Sequence, residues 1–123
     1  MIGYVTLGTN DREKSTKFYD ALCGELGVGR MMETEQLIAW GAPGGGAGLG
    51  LTTPFDGNAA SVGNGVMVAL EAADEAQVQK LYDIALANGG SDEGAPGDRG
   101  GGFYAGYFRD PDGNKLNAFI MKG

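Results

Sequence analysis

The sequence predicts an α+β fold in which one β-α-β-β-β unit occurs twice. Two observations favour this prediction. The order of strand-like and helix-like segments begins again near residue 64, and the two halves coincide at an offset of 63 residues, the separation of Lys17 and Lys80. At this offset Lys-Phe-Tyr-Asp at 17–20 matches Lys-Leu-Tyr-Asp at 80–83. Because amphipathic helices share such patterns by chance, the repeated element order is the stronger observation.

The first unit is predicted to occupy residues 1–53. Residues 2–8 are apolar and partly β-branched, which is typical of a buried strand. Asn10 as N-cap, with Glu13 three residues later, predicts a helix over 11–26 that a glycine ends. Three further strands are predicted at 28–33, 36–41 and 47–53.

The second unit is predicted at 64–121, after a turn-rich connector at 54–63. Asp74 and Gln77 repeat the N-cap pattern ahead of a second helix, which closes at Asn88. The other predicted segments are a strand at 64–72, a strand at 91–96, a glycine-rich loop at 97–102 and a β-hairpin at 103–120.

Each predicted sheet has one face for its own helix and one concave face. Two such curled mixed sheets would enclose a concave cleft lined by alternate strand residues. With 123 residues, 42% of them apolar, the chain is long enough for one core, so a single domain is expected. A ligand site, if there is one, is expected in the cleft.

Composition argues against several classes of protein. Sixteen acidic against nine basic residues give a net charge of −7, which argues against nucleic acid or an anionic membrane and mildly favours a cationic partner. The single cysteine, Cys23, excludes an internal disulfide, and its place in a predicted helix favours a buried, inert thiol. Because no signal-like segment and no run of 18 apolar residues occurs, a cytoplasmic location is expected.

The most distinctive stretch lies at 103–116 and reads F-Y-A-G-Y-F-R-D-P-D-G-N-K-L. Asp110 and Asp112, on either side of a proline, are typical of a tight hairpin turn. The opening G-Y-V-T-L-G-T-N-D at 3–11, F-Y-D-A-L at 18–22, and P-F-D-G and V-G-N-G around the connector accompany it. Together these segments resemble the glyoxalase, bleomycin resistance protein and extradiol dioxygenase superfamily, also called vicinal oxygen chelate proteins.

This resemblance covers essentially the whole chain and implies two βαβββ modules around a concave cleft. It is much less specific for a reaction, because members include isomerases, lyases, epimerases and oxygenases as well as proteins that only sequester drugs. Members commonly complete their clefts by pairing two chains, so the resemblance implies a homodimer.

Enzymes of this superfamily hold a divalent metal through His, Gln or Glu side chains on the first and last strands of each module. Carried over by position, those sites fall on Tyr4, Val66 and Asn117, and residues 48–51 offer only glycine and leucine. The chain contains no histidine. Because a catalytic Zn²⁺, Ni²⁺ or Fe²⁺ site needs about three nitrogen, sulfur or carboxylate donors, neither a metal site nor a cofactor is predicted.

The remaining cleft is aromatic with a few polar groups. Strand alternation puts Phe103 and Tyr107 on one face of the hairpin and Tyr104 and Phe108 on the other, without fixing which face is inward. Trp40 is the strongest candidate for stacking on a flat ligand, because its side chain is large and favours recognition surfaces. The candidate ligand-binding residues are Tyr4, Thr6, Trp40, Val66, Phe103, Tyr107 and Asn117. No catalytic residue is assigned.

Three functions agree with these observations. The first is a metal-free protein that binds a small planar or cationic molecule between aromatic walls. The second is a glyoxalase-type lyase or isomerase, or a dioxygenase-related enzyme, with metal-free chemistry or with a displaced or partner-supplied divalent metal such as Zn, Ni or Fe. The third is a protein that acts through protein contacts alone. The missing metal ligands favour the first.

Overall fold

The structure is a computed structural model that describes residues 1–42 and 44–122. The first unit contains β1 (Tyr4–Gly8), α1 (Arg12–Glu25), β2 (Arg30–Glu33), β3 (Leu37–Trp40) and β4 (Gly48–Thr52). The second contains β5 (Val68–Glu71), α2 (Glu75–Ala87), β6 (Ser91–Asp98), β7 (Phe103–Arg109) and β8 (Lys115–Met121). The predicted α+β fold with two β-α-β-β-β units is confirmed.

The two four-stranded sheets have the same topology. Their strand orders are β1-β4-β3-β2 and β5-β8-β7-β6. In each sheet the first and last strands of the unit pair in parallel, and the other pairs are antiparallel. The first strand is therefore an edge strand in both sheets, with a row of backbone groups that no other strand of its sheet pairs.

Both helices begin at an aspartate. Asp74 caps α2 as predicted, since its carboxylate accepts the Gln77 N–H at 2.8 Å. The cap of α1 is Asp11, not the predicted Asn10, and it accepts the Lys14 N–H at 3.2 Å. Asn10, one residue earlier, does not cap the helix because its side-chain amide forms hydrogen bonds with the connector. Neither helix, within the described residues, has the length and apolar composition needed to cross a bilayer.

Two strand boundaries differ from the prediction. β6 continues to Asp98, so the predicted glycine loop is shorter; two register shifts between Asp92 and Gly97 let this glycine-rich strand stay paired with β7. β5 begins only at Val68, because residues 64–67 form a turn followed by a short irregular segment.

One hydrophobic core joins the two units. Phe18 on α1 packs against Tyr19 at 4.9 Å and reaches Phe108 on β7 at 6.3 Å between ring centroids. The buried cluster includes side chains from both helices and both sheets: Leu7, Leu22, Ile38, Leu51, Val78, Leu81, Leu116 and Ala118. Because each sheet turns one face to this common core, each leaves its other face open.

Candidate functional site

The structure decides which side of the hairpin is open. Phe108 is fully buried in the core and Tyr104 packs against the core, so strand alternation places Phe103 and Tyr107 on the open face. Cross-strand pairing sets Asn117 of β8 opposite Tyr107. These three candidates therefore share the open face of the second sheet.

Trp40 lies on the opposite side of the first sheet from the one predicted. Its side chain is only 2% exposed and packs on Tyr19 of α1, with 5.5 Å between ring centroids. Its indole N–H donates to Asp20 Oδ1 at 2.9 Å. Trp40 shares its strand face with Ile38, which is in the core. Trp40 is therefore a core residue, and the expectation that it stacks on a ligand is corrected.

The open face of the first sheet carries Tyr4 and Thr6. Both are exposed, Tyr4 by 65%. Beside them is a cavity of about 160 Å³ lined by Gly3, Tyr4, Met31, Met32, Leu37, Ala39, Ala42, Gly46 and Gly48. A Cβ atom on the neighbouring Gly50 would come within 3.0 Å of the Leu37 side chain. Glycine at this position therefore avoids a close contact on the open face. The cavity is shallow and apolar.

The open face of the second sheet is aromatic and cationic. The Arg99 guanidinium lies 5.4 Å from the centroid of the Tyr107 ring, and the Lys115 ammonium lies 5.5 Å from it. Along the same face Phe103 stacks on Phe119, with 5.6 Å between centroids and 25° between ring planes. Both cations are within cation–π distance of one ring, which makes Tyr107 the centre of this surface.

Asn117 is the one buried candidate on this face. It is 1% exposed, and its Oδ1 atom has no hydrogen-bond partner among the described residues. A buried acceptor without a donor costs about 1–3 kcal/mol. Such an atom is a natural place for a donor from a ligand or a water.

A larger cavity, of about 550 Å³, adjoins Lys115 at the end of the second sheet. Its walls are Val62, Gly63, Asn64, Gly65, Val66, Met67, Arg109 and Lys115. The candidate Val66, 53% exposed, belongs to this wall, ahead of β5. This cavity has no residue in common with the cavity on the first sheet. In a single chain the candidates thus form two groups: Tyr4 with Thr6, and Val66 with Phe103, Tyr107 and Asn117.

Sequence reasoning missed the cations of this surface. Arg109 and Lys115 belong to the distinctive stretch at 103–116, but nothing in that pattern marks them as ligand-binding residues. The register of β7 and β8 sets these two residues opposite each other, and Arg99, which follows β6, reaches the Tyr107 ring from outside the strand. The alternation of Arg109 with Tyr107 along one strand was the available signal, since residues two apart share a face.

The hairpin turn after β7 joins the two units. The buried Asp110 carboxylate accepts the Tyr19 hydroxyl at 2.5 Å and the Asn114 amide at 2.9 Å. Asp112 accepts the Ser15 hydroxyl at 2.5 Å, and the Asn114 amide also donates to the Gly8 carbonyl at 2.9 Å. These two aspartates therefore fasten α1 as well as shape the turn.

Burial raises the pKa of both groups in the Tyr19–Asp110 pair. Desolvation raises the pKa of Asp110 above 3.8, although the bonds from Tyr19 and Asn114 oppose the rise. Burial, followed by the nearby Asp110 charge, holds the pKa of Tyr19 well above its usual range. The phenol thus stays protonated and donates to the carboxylate at neutral pH.

Comparison with known proteins identifies the class. The sequence model of the glyoxalase/bleomycin resistance protein/dioxygenase superfamily matches residues 1–118. This chain therefore belongs to that superfamily. The structure agrees, since its two open mixed sheets and two helices have the arrangement of solved members.

Solved relatives place the chain more closely. It is 39% identical to a glyoxalase/bleomycin resistance protein from Albidiferax ferrireducens, with a TM-score of 0.89 over 97% of each chain. A glyoxalase-related enzyme from Fulvimarina pelagi is 23% identical, with a TM-score of 0.77 over 97% of this chain and 86% of that one. A lactoylglutathione lyase from Agrobacterium tumefaciens is 21% identical, with a TM-score of 0.69 over 97% and 92%. These two share the fold. No curated protein matches this chain in sequence.

The metal held by enzymes of this superfamily does not fit the residues present. At the positions carried over from the family, Tyr4 offers a phenol, Val66 a hydrocarbon and Asn117 an amide, and β4 offers glycine on its open face. Within 1–42 and 44–122, no group of three or more His, Cys, Asp or Glu side chains is placed to hold a metal ion. The donor set falls short of what Zn²⁺, Ni²⁺ or Fe²⁺ requires.

Proposed function

We propose that this chain binds a small planar molecule on the open face of the second sheet, without a metal at the family's ligand positions. The observation that carries the proposal is the surroundings of Tyr107. Two cations lie 5.4 and 5.5 Å from its ring centroid, and the buried Asn117 Oδ1 opposite it has no partner within residues 1–42 and 44–122. A flat ligand would extend the aromatic surface and would bring a donor to Asn117.

The charge of the ligand is a separate question from its shape. The net charge of −7 favours a cationic ligand when the sequence is considered alone. The groups nearest to Tyr107, however, are themselves cations. Local charges act more strongly than distant screened ones, so this face disfavours a cationic ligand.

A fragment screen by NMR tests the proposed function. We expect planar fragments to shift the amide resonances of β7 and β8. Tyr107→Leu is expected to weaken their binding by up to about tenfold, because an aromatic pair contributes roughly 0.5–1.5 kcal/mol. Tyr4→Leu, on the other sheet, is the matched control and should leave those shifts unchanged. Planar fragments that bind the Tyr107→Leu variant as well as the wild type would contradict the proposal.

Metal analysis separates this function from the alternative, a glyoxalase-type lyase or isomerase with a displaced or partner-supplied metal. Protein purified without chelators is expected to contain no stoichiometric Zn, Ni, Mn or Fe. A metal content near one ion per chain would overturn the metal-free proposal, because it would require ligands other than those described above.

We also propose that two copies of the chain pair as a homodimer. β1 and β5 are both edge strands, and the exposed apolar side chains near them include Ile2, Tyr4, Val66 and Met67. Pairing would cover these side chains and the free strand edges, and it would set the open face of one chain's first sheet against the second sheet of its partner. Such a dimer is expected in the cytoplasm, the location that the sequence predicts.

A further inference from the structure

The cavity beside Lys115 is cationic although the chain as a whole is acidic. Its volume is about 550 Å³, and its wall combines residues 62–67 with Arg109 and Lys115. No carboxylate is among its lining residues, while the chain has 16 acidic residues against nine basic ones. The positive charge of this cavity is therefore a local feature that the net charge conceals.

Arg109 and Lys115 are directly opposite each other on β7 and β8. Like charges at such positions normally repel and destabilise the sheet. Glu93 offsets part of this repulsion, because it accepts the Arg109 Nε–H, and the Gly113 carbonyl accepts an Nη1–H at 2.9 Å. A guanidinium has five N–H groups, so three remain for another partner. Lys115 forms no ion pair with any residue in the described ranges.

The other carboxylates of this region are engaged or distant. Asp110 is buried and bonded to Tyr19, and Asp112 accepts from Ser15. Glu71 pairs along β8 with Phe119, four residues from Lys115, which is about 13 Å along a strand. An anion from outside the chain would therefore not compete with a fixed carboxylate at Lys115.

We propose that this cavity binds the oxyanion of a small organic molecule, a carboxylate or a phosphate, through Lys115 and Arg109. The proposal rests on the proposed function for the rest of the ligand, whose planar part would lie on Tyr107, since Lys115 contacts both the ring and the cavity. The substrate class is thus a planar organic anion. Paired cations with free N–H groups suit the geometry of an oxyanion.

Four phenyl compounds of different charge test this inference: benzoate, benzamide and benzamidinium, which share one planar shape, and phenyl phosphate, which carries a tetrahedral oxyanion. Dissociation constants are measured by NMR titration of wild-type protein. We expect benzoate and phenyl phosphate to bind at least about tenfold more tightly than benzamide, and benzamidinium to bind most weakly. The preference between the two anions identifies the oxyanion, and added NaCl should weaken both anions while leaving benzamide unchanged.

Lys115→Gln is the matching variant, and Lys80→Gln is its control. Lys80 is exposed on α2, on the helix side of the same sheet, so its replacement changes the net charge equally without touching the cavity. Lys115→Gln is expected to weaken benzoate about tenfold or more, and Lys80→Gln to leave it unchanged. The salt dependence of the wild type decides the question even if Lys115→Gln fails to fold.

The outcomes distinguish this inference from the proposed function. If all four probes bind equally and Tyr107→Leu weakens each of them, the anion site is wrong and the planar site stands. If inorganic phosphate and benzoate bind through Lys115 but Tyr107→Leu has no effect, the anion site stands and the planar site is wrong. Failure of both anions to shift any resonance of β7, β8 or residues 62–67 at millimolar concentration overturns the anion site.

Discussion

At the residue scale, Asn117 and Asn114 show that one residue type has opposite roles within one hairpin. Asn114 uses its amide to bond Gly8 and Asp110, and both bonds are donated by its Nδ2. The Asn117 Oδ1, three residues later, is buried and has no donor in the part of the chain that the structure describes. A polar group that costs free energy in the folded chain is typical of a site adapted to a ligand rather than to stability.

Asn117→Leu is therefore expected to stabilise the protein while it removes binding. Replacing an unsatisfied buried amide by an apolar side chain of similar size should raise the free energy of unfolding by about 1–2 kcal/mol. Urea denaturation measures the change. Asn114→Leu is the control, and it should lower the stability by about 2 kcal/mol or more because it breaks two bonds. A destabilised Asn117→Leu protein would contradict this account of the amide.

Cys23 is expected to resist alkylation in the native protein. Burial raises the pKa of its thiol to about 12, with a smaller contribution from the Asp20 charge. At about pH 8 only roughly one thiol in ten thousand would be ionised, and the thiolate is the reactive form. Iodoacetamide labelling followed by mass spectrometry should give rapid modification in urea and almost none in buffer. Rapid modification of the folded protein would contradict the burial of this thiol.

At the scale of elements, the hairpin turn between β7 and β8 holds the two units together by hydrogen bonds. It connects β7 to β8, and its two aspartates hold the Tyr19 and Ser15 hydroxyls of α1. A turn needs only its own residues to close, so the bonds to α1 are additional to its local role. They fix the position of the first helix relative to the second sheet and thereby the shape of the shared core.

Tyr19→Phe tests the hydrogen bond between α1 and this turn, and the pH dependence of its contribution to stability. Because the folded-state pKa of Asp110 is above 3.8, the folded state binds this proton more tightly than the unfolded state, and the free energy of unfolding falls as pH rises through that range. Loss of the Tyr19 hydroxyl should raise the pKa further. The variant should thus be less stable by about 1.5–3 kcal/mol near pH 7 and by less near pH 3.5.

Urea titrations of both proteins at the two pH values measure this difference. Tyr82→Phe is a suitable control, because the Tyr82 hydroxyl also donates to an aspartate, Asp92, but this aspartate is exposed. A deficit for Tyr19→Phe that is the same at both pH values would rule out Asp110 as the group that senses the change.

At the scale of the whole molecule, the two open faces of a single chain border separate cavities. In the proposed homodimer, the second copy would join these faces through the exposed edges of β1 and β5 and the apolar residues beside them. A stable interface of this kind needs roughly 1,200–2,000 Å² of buried area in total. In that homodimer, the shape of the complete cleft would depend on how the two chains assemble.

Sedimentation equilibrium tests the assembly. The wild type is expected to be a dimer, and Tyr4→Glu with Met67→Glu should give monomers, because two carboxylates would be buried at the interface without partners. Phe55→Glu replaces an apolar residue that is 95% exposed on the connector, outside β1 and β5, and should remain dimeric. A monomeric wild type at micromolar concentration would refute the homodimer.

Much of the fold was predictable, because it depends on local patterns. Asp74 with Gln77 marked the start of α2, and apolar runs marked the strands, since capping and alternation act within a few residues. The α1 cap was misplaced by one residue, because the side chain of Asn10 is used by Ala60 of the connector, fifty positions away. No local pattern carries that contact.

The site was less predictable than the fold. Tyr107 and Asn117 are predicted on the basis of strand position, but Arg99 and Lys115 are not, because only the tertiary structure brings them to the same ring. Trp40 is predicted to lie in the cleft because its strand should border the cleft and because its large side chain favours recognition surfaces. Side-chain size does not determine which face of a strand points to the core, and the pairing of Trp40 with Asp20 decided it.

The sequence by itself determined the family, the doubled β-α-β-β-β order and the lack of the usual metal donors, because motifs, periodicity and the absence of histidine are properties of the linear chain. Only the tertiary structure decided that Trp40 is a core residue, that the buried Asp110 accepts a hydrogen bond from α1, and that a cationic cavity exists in an acidic protein. The reason is that burial, hydrogen bonding and local charge depend on contacts between residues that are distant in the sequence. Strand register and helix packing determine which of these contacts form.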